Sequence, residues 1–403
     1  MRAIIVGGGI AGPAAAMALQ RVGVDAIVLE AAEGTRVAGS WFTVAPNGLA
    51  ALGAIEALDP VRALGIPTRH NLMRGATGRE LGRLGLGGTL DDGTPALSFR
   101  RPDLAAALGA EAQRRGIQVR YGARVAYVHD DGDRARVTLR DGTRLEGDLV
   151  IGADGIHSVV RTAIDPDAAT PRYLGLANFG GISPGAATSS GLPAGAWTFV
   201  FGRRAFFGAL PTPDGDVVWF VNEPRPPVTR EERSATSPAD WLAHLGSLAE
   251  PDHSGFTELI AAGELELAGD ATYDLPRVRR WHRGRLGLIG DALHAPAPSS
   301  GQGASMALED AVVLARCLRD AGTPPSAFAA FEAERRRRVE RIVAAGARSS
   351  SSKTAGPVAR VFQDAVLRWV FRHLVNDRSQ AWVYGERVSL DAEAAHVKLN
   401  SRG

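Results

Sequence analysis

Six residues near the start of the chain, Gly7-Gly8-Gly9-Ile10-Ala11-Gly12, set the strongest constraint on its fold. They follow Ala3-Ile4-Ile5-Val6, apolar throughout as a parallel strand covered on both faces must be. They precede an Ala/Leu-rich helix expected from about Ala11 to Arg21, and a second strand is expected over Asp25 to Glu30. The three pieces make a βαβ unit of near-standard length. In a G-x-G-x-x-G turn the first glycine, here Gly7, permits the tight turn. Gly9 lets backbone approach a pyrophosphate, and Gly12 allows the helix to pack closely on the strand. The helix start, with Ile10 and Ala11, offers free N–H groups and a partial positive charge to phosphate. Glu30 stands eighteen residues past Gly12. A carboxylate at that strand end accepts hydrogen bonds from ribose hydroxyls and repels a 2′-phosphate. The unit reads as a site for FAD or NAD.

A chain of 403 residues is too long for one small core, so two domains are expected. A second amphipathic helix is expected from Leu104 to Arg115. Short strands follow at Val119–Tyr121, Arg124–His129, Arg136–Leu139 and Arg144–Val150, separated by turns such as Asp141-Gly142. From about Pro171 to Gly269 the chain becomes rich in Gly, Pro and aromatics, with strand-like pieces at Trp197–Phe201, Ala205–Leu210 and Val217–Val221. Leu286 to Asp291 returns to a parallel strand, and helices are expected at Ala304–Asp320, Ser326–Arg348 and Val358–Leu374. The fold class is therefore α/β: a discontinuous Rossmann-like dinucleotide domain with an inserted antiparallel β-sheet substrate domain and C-terminal helices. The expected division is 1–70, 98–170 and 270–345 for the dinucleotide domain, 71–97 and 171–269 for the sheet domain, and 346–403 for a C-terminal helical segment. Gly346 to Gly356, with four consecutive serines, is the best linker candidate.

A second motif separates FAD from NAD. Gly290-Asp291 and Pro298-Ser299-Ser300-Gly301-Gln302-Gly303 run from a strand end into the helix that starts near Ala304. An aspartate there can hold a ribityl or ribose hydroxyl. A Gly-rich helix start can face the electron-rich end of a flavin, whose reduced form carries negative charge that a helix N-terminus stabilises. NAD needs no such second site.

With Asp148-Leu149-Val150-Ile151-Gly152-Ala153-Asp154-Gly155, followed by Ser158 and Arg161, these motifs resemble in order those of the group A flavoprotein monooxygenases. That is the family of p-hydroxybenzoate hydroxylase and the tetracycline-degrading monooxygenases. Arg101-Pro102-Asp103-Leu104 matches as well, and together the fingerprints span residues 1 to about 345. The resemblance implies Asp291 on the ribityl and pyrophosphate region and the backbone of Gly303 and Ala304, with Pro298 and Gly301, near the flavin. It implies Arg101 near FAD, and Asp154 serving both FAD and NAD(P)H. In this family NADPH or NADH reduces FAD, O₂ adds at flavin C4a, and the hydroperoxide passes one oxygen atom to substrate. The cofactor carries the difficult chemistry, which fits a sequence in which no catalytic acid–base pair stands out. One departure is Trp41, in Gly39-Ser40-Trp41-Phe42 before Pro46-Asn47, where the family often has glycine. Trp41 narrows the flavin's outward path, stacks on substrate, or simply fills a cavity. Phe207, Trp219 and Phe220 are further candidates for an apolar pocket suited to an aromatic or polyketide-like substrate.

The same FAD domain occurs in flavin-dependent halogenases, which carry an early lysine and a Trp-x-Trp-x-Ile-Pro motif. Here Lys353 is the first lysine, and Trp197-Thr198-Phe199-Val200-Phe201 lacks that pattern. An FAD-dependent dehydrogenase without oxygen insertion, or a non-catalytic flavoprotein that shields an intermediate, remain the rival readings. A net charge of +2 gives no argument for nucleic acid. No His/Cys/Asp spacing suggests a metal. The single cysteine, Cys317, reads as a buried apolar residue and fits a reducing compartment. The Ala11–Leu19 run is too short to span a bilayer, and no leader precedes Ala3, so a cytoplasmic protein without stable membrane insertion is expected. His294 reads as a structural hydrogen-bonding residue. Arg335 to Arg338 reads as a solvated helix face with Glu332, Glu334 and Glu340. The apolar stripe Val358, Val361, Phe362, Ala365, Val366, Trp369 and Val370 reads as packing against the dinucleotide domain. Oligomeric state is open.

Overall fold

The apolar run at the start of the chain is the strand Arg2–Val6, with Ala3, Ile4 and Ile5 fully buried. A computed structural model describes residues 1–34, 39–351, 368–371 and 377–391. Arg2–Val6 pairs in parallel with Asp25–Leu29 on one side and Leu149–Gly152 on the other. Gln118–Arg120 and Leu286–Leu288 extend the sheet outward, both in parallel, and the edge strand His282–Arg283 closes it in antiparallel sense, six strands in all. Because successive strands move first to one side of Arg2–Val6 and later to the other, a crevice opens at the carboxyl ends of the central strands. Gly7 to Gly9 and Ala153-Asp154 stand there. The helices Ala11–Arg21 and Gly303–Asp320 pack against each other over this sheet.

The second large sheet has seven strands, in the order Glu264–Asp274, Arg172–Ser183, Val217–Pro224, Phe206–Pro211, Ala196–Phe201, His70–Gly75, Glu80–Gly85. Neighbours are antiparallel except Ala196–Phe201 and His70–Gly75, which run parallel. The inserted sheet is thus antiparallel as expected, with one parallel seam. Parallel neighbours need a long connection, and here it runs through much of the dinucleotide-binding half.

Three helices in the same stretch, Arg230–Ala235, Pro238–Ala249 and Phe256–Ala261, were not expected. Ser237 and Pro238 look like turn punctuation, yet Ser237 Oγ accepts the Asp240 N–H and Pro238 occupies the first helical position. Two of these helices cover one face of the sheet, enclosing Phe179, Phe207, Trp219, Trp241, Leu245 and Phe256. Successive strand residues point to opposite faces. Val217, Trp219 and Val221 therefore join that covered core, while Val218 and Phe220 belong to a separate cluster with Trp41 and Trp197. Trp41 comes from a small antiparallel sheet of Trp41–Val44, Ala96–Arg100 and Ile66–Thr68.

Helix Pro324–Ser351 runs through Gly346 and the first serines, so no linker begins at Gly346; the rest of the expected linker, 352–356, lies outside the described residues. Its buried positions, Ala327, Phe328, Phe331, Arg335, Val339 and Ile342, recur at helical spacing. Arg335 is thus in the buried stripe and only 2% exposed. Arg336 and Arg338 are partly buried and Arg337 is exposed, so the solvated arginine face expected from the sequence is wrong for most of its length. The expected apolar stripe from Val358 to Val366 lies outside the described residues; Trp369, in the helical turn 368–371, is 56% exposed. No helix among the described residues is long and apolar enough to cross a membrane.

Candidate cofactor site and adjoining cleft

The four glycines of the first turn fall into two kinds. A Cβ on Gly7, whose φ is +112°, would lie 2.2 Å from the Ala153 carbonyl oxygen, and one on Gly12 would lie 1.9 Å from the Gly7 carbonyl oxygen. One on Gly8 would meet the Glu30 side chain at 2.7 Å. Gly9 differs: its Cβ would meet nothing within 4 Å, so this glycine borders open space. Helix Ala11–Arg21 has no side-chain cap at Ile10 and no acidic residue in its first turn, which leaves its positive end available to an anion. Glu30 Oε2 accepts the Gly8 N–H at 2.7 Å and Oε1 the Ala32 N–H at 2.8 Å. Each oxygen keeps a lone pair for a ribose hydroxyl.

Directly beside Gly7, Asp154 Oδ2 accepts the N–H groups of Val159 and Val160 at the start of helix Val159–Ile164. Burial pushes its pKa up despite these bonds, and its Oδ1 is buried without a partner. Arg161, buried, donates to the carbonyls of Ala292 (2.9 Å) and Ile156 (2.6 Å) and so ties this segment to the one carrying Asp291. Asp291 lies in the turn Gly290–Ala292, where its Oδ2 accepts from Arg101 Nη2 at 3.2 Å. A Cβ on Gly303 would stand 3.7 Å from Asp291 Oδ1. Pro298 opens a single 3₁₀ turn that ends in left-handed Gly301, and the next helix begins at Gly303-Ala304, again uncapped by a side chain and without acid in its first turn. Gly290, φ +59°, fits between the two uncapped helices: its Cβ would lie 3.0 Å from Ala11 and 3.3 Å from Ala307. Open space at Gly9, N–H donors at two free helix starts and carboxylate acceptors at both ends are what a flavin dinucleotide requires, and the site residues fit FAD.

Beneath the second helix start lies a buried polar network that the sequence reading missed. Asn47 Nδ2 donates to Gln302 Oε1 (2.9 Å) and to Glu309 Oε1 (2.6 Å). Glu309 is held by Arg335 and Arg338 at 2.7 and 2.8 Å. Arg335 Nε also donates to Asp310 Oδ1 at 2.9 Å, while Asp310 Oδ2 accepts the Gly290 N–H at 3.0 Å and meets His294 Nε2 at 2.6 Å. Asn47, Gln302, Glu309 and Asp310 are all fully buried. Burial pushes the Asp310 carboxyl up, but His294 and Arg335 more than offset this and its pKa lies below 3.8. Glu309 likewise lies below 4.5, because the two arginines and Asn47 outweigh desolvation. The network thus grips Gly290, beside Asp291, and Gln302, beside Gly303. His294 is structural in this arrangement. Cys317 is fully buried, its thiol pushed up to about 12 by desolvation.

A narrow cleft, with free volume of about 10 Å³ between its closed side chains, adjoins this region, bordered by Ser40, Trp41, Trp197, Phe220, Asn178 and Glu266 among others. The Arg101 N–H bonds the Ser40 carbonyl at 3.0 Å, so one stretch of backbone joins the cleft to the Arg101–Asp291 pair. Trp197, Phe199 and Phe220 form an aromatic wall with ring centroids 5.8–5.9 Å apart. Trp197 is fixed by its Nε1–H to Ser98 Oγ, 2.9 Å. Of the expected pocket residues, Phe207 lies away from the cleft and Trp219 reaches it only from the covered side. Phe207 packs against Phe256 on the helix-covered face, centroids 5.1 Å apart, and does not reach the cleft. Trp219 borders the cleft, yet its ring lies in the same covered core with Nε1 bonded to Ser183 Oγ. Both occupy the opposite phase of strand alternation from Phe220.

Comparison with known proteins agrees with this geometry. The family model described as FAD binding domain matches residues 1–346. The FAD-dependent urate hydroxylase of Klebsiella pneumoniae is 30% identical over 346 residues, 85% of this chain and 88% of that protein. The 3-amino-4-hydroxybenzoate 2-monooxygenase of Streptomyces cremeus is 33% identical over 340 residues, covering 83% of each. The crystal structure of Klebsiella pneumoniae HpxO with FAD and uric acid superposes with a TM-score of 0.79 at 27% identity, over 92% of this chain and 93% of that one. With the two helix starts, the open glycine turn and the aromatic cleft beside them, these likenesses place the chain in the FAD-binding family of group A flavoprotein monooxygenases, enzymes that use FAD together with NAD(P)H and O₂.

Proposed function

We propose that this monooxygenase inserts one oxygen atom into a planar aromatic small molecule held in the cleft between Trp41 and the Trp197–Phe220 wall. The carrying observation is that wall: Trp197 stacked on Phe199 and tilted against Phe220, each at 5.8 Å, on the sheet face turned toward Trp41 and joined through Ser40 to the cofactor residues. Gly9, Glu30, Arg101, Asp154, Asp291 and the backbone at Gly301, Gly303 and Ala304 would hold FAD, which when bound supplies the oxygen activation. The protein's own residues bind, orient and exclude water. Uncapped N–H groups at Gly303 and Ala304 favour negative charge on the reduced ring. Trp41 and Phe220 close the cleft over the reacting face. NADPH or NADH delivers the electrons, and Asp154, with its unpartnered Oδ1, is the proposed residue shared between the two nucleotides.

The test is substrate-stimulated NAD(P)H oxidation under ¹⁸O₂ with a panel of aromatic compounds. One labelled oxygen atom in the product supports the proposal. Stoichiometric oxidation of substrate without label assigns a dehydrogenase, and tight binding without turnover assigns a shielding protein.

A further inference from the structure

Resting on the proposal that the cleft is the substrate site, we infer that Glu266 selects neutral N–H-bearing heteroaromatic rings and turns away aromatic carboxylates. The strand Glu264–Asp274 pairs with Arg172–Ser183, but its register jumps from Gly180 opposite Leu267 to Gly181 opposite Leu265. Glu266 is the extra residue at that jump. Such bulges bend a strand and re-aim a side chain, and they concentrate next to active sites. Here the re-aimed side chain is the one ionisable group among the described residues lining the cleft, which is otherwise built from glycine, aromatic, aliphatic and small polar residues.

Its charge is already matched. Arg100 Nη2 donates to Glu266 Oε1 at 2.9 Å, with both side chains about three-quarters buried. Arg100 stands opposite Trp41 in the small sheet, so cation, carboxylate and indole share one end of the cleft. An entering carboxylate would meet the Glu266 carboxylate in the cleft wall, while Arg100, bonded to it through Nη2, does not line the cleft and keeps its unpartnered Nε buried; in a partly buried cleft that repulsion is poorly screened. A ring N–H instead meets an acceptor, because the pair leaves Glu266 Oε2 for a donor in the cleft. Trp41 Nε1, buried without a partner, supplies the complementary donor for a ring oxygen. Acceptor and donor at one end, with aromatic faces along the wall, describe an oxo- or hydroxy-substituted nitrogen heterocycle of one or two rings.

The experiment titrates FAD-loaded protein by tryptophan and flavin fluorescence with 4-hydroxy-2-quinolone, its N-methyl derivative and 4-hydroxybenzoate. The N–H quinolone is expected to bind best, N-methylation to cost about tenfold or more, as for a lost hydrogen bond to a charged acceptor, and the benzoate to bind weakest. Glu266→Gln should shrink the N–H preference and, by releasing Arg100, raise benzoate affinity. Trp41→Phe is the second variant, usable if Glu266→Gln misfolds. It should weaken the quinolone several-fold and leave the benzoate unchanged. Benzoate binding equal to quinolone binding, no cost of N-methylation, absence of quinolone binding, or indifference to both substitutions overturns the inference. The two readings fail separately. Labelled oxygen entering a benzoate independently of Glu266 keeps the monooxygenase and sinks the selector, whereas Glu266-dependent binding without label does the reverse.

Discussion

Arg335→Met is the most informative perturbation of the scaffold. The guanidinium is 2% exposed and bonds Glu309 at 2.7 Å and Asp310 at 2.9 Å, both of them fully buried. Methionine fills similar volume but leaves two buried carboxylates with fewer partners. Arg338 still serves Glu309, and His294 still serves Asp310. Removing one member of a buried ionic group costs about 3–5 kcal/mol, because the remaining charge stays desolvated. At about 2 °C per kcal/mol, the figure for a large cooperative unit, that is a fall in Tm of about 6–10 °C. The assay is thermal unfolding of the FAD-free and FAD-loaded protein from pH 4 to pH 8. In the wild type Asp310 and Glu309 have folded pKa values below 3.8 and 4.5, so their stabilisation is present above those values and is lost as pH falls through the folded ones. In the variant burial dominates, the folded values rise, and the acids take up protons at higher pH. The deficit should be full near pH 7 and shrink toward pH 4. A deficit under about 1 kcal/mol, or one that does not shrink in acid, refutes the role given to Arg335.

Three further outcomes are expected. Gly9→Ala should fold normally, since its Cβ enters open space, but lose FAD affinity in equilibrium titration; Gly12→Ala, with its Cβ 1.9 Å from the Gly7 oxygen, should lower the Tm of the FAD-free protein by several degrees through overpacking. Asp291→Ala should weaken FAD about ten- to hundredfold while changing FAD-free stability by less than about 1 kcal/mol, because its pair with Arg101 is solvent-accessible; retained flavin occupancy after gel filtration would count against it. Phe207→Ala should cost about 3–5 kcal/mol in denaturant unfolding without altering ligand affinity for the cleft, whereas Phe220→Ala should reduce that affinity.

Much of the cofactor half was legible because each motif there is local. A glycine turn, its strand and its helix lie within thirty residues, so Gly7, Gly9, Gly12 and Glu30 are read together. Asp291 and the Gly301–Gly303 helix start are likewise neighbours in sequence. The buried network was not legible in the same way. Asn47, Gln302, Glu309 and Arg335 come from three distant segments, and charged residues on an arginine-rich helix read as solvated unless their partners are known. The spacing of Arg335 with Phe328, Phe331, Val339 and Ile342 was the available signal, since it falls in the apolar stripe. Strand phase was the other gap. Phe207 and Trp219 are as aromatic as Phe220, and only pairing and cover decide which face each takes. Glu266 was invisible because its prominence depends on a bulge, which one strand alone does not reveal.

The parallel seam between Ala196–Phe201 and His70–Gly75 has a consequence for how the chain is made. During synthesis the hairpin His70–Glu80–Gly85 emerges long before the strand that covers its inner edge. That edge, with its unpaired peptide groups, stays open while the intervening segments are built, including Leu149–Gly152, which completes the centre of the dinucleotide sheet. Such non-local pairing slows folding and exposes a template for association. The cover sheet therefore cannot be excised as a contiguous fragment, and a chain cut before residue 196 would carry a sticky edge rather than a smaller working enzyme.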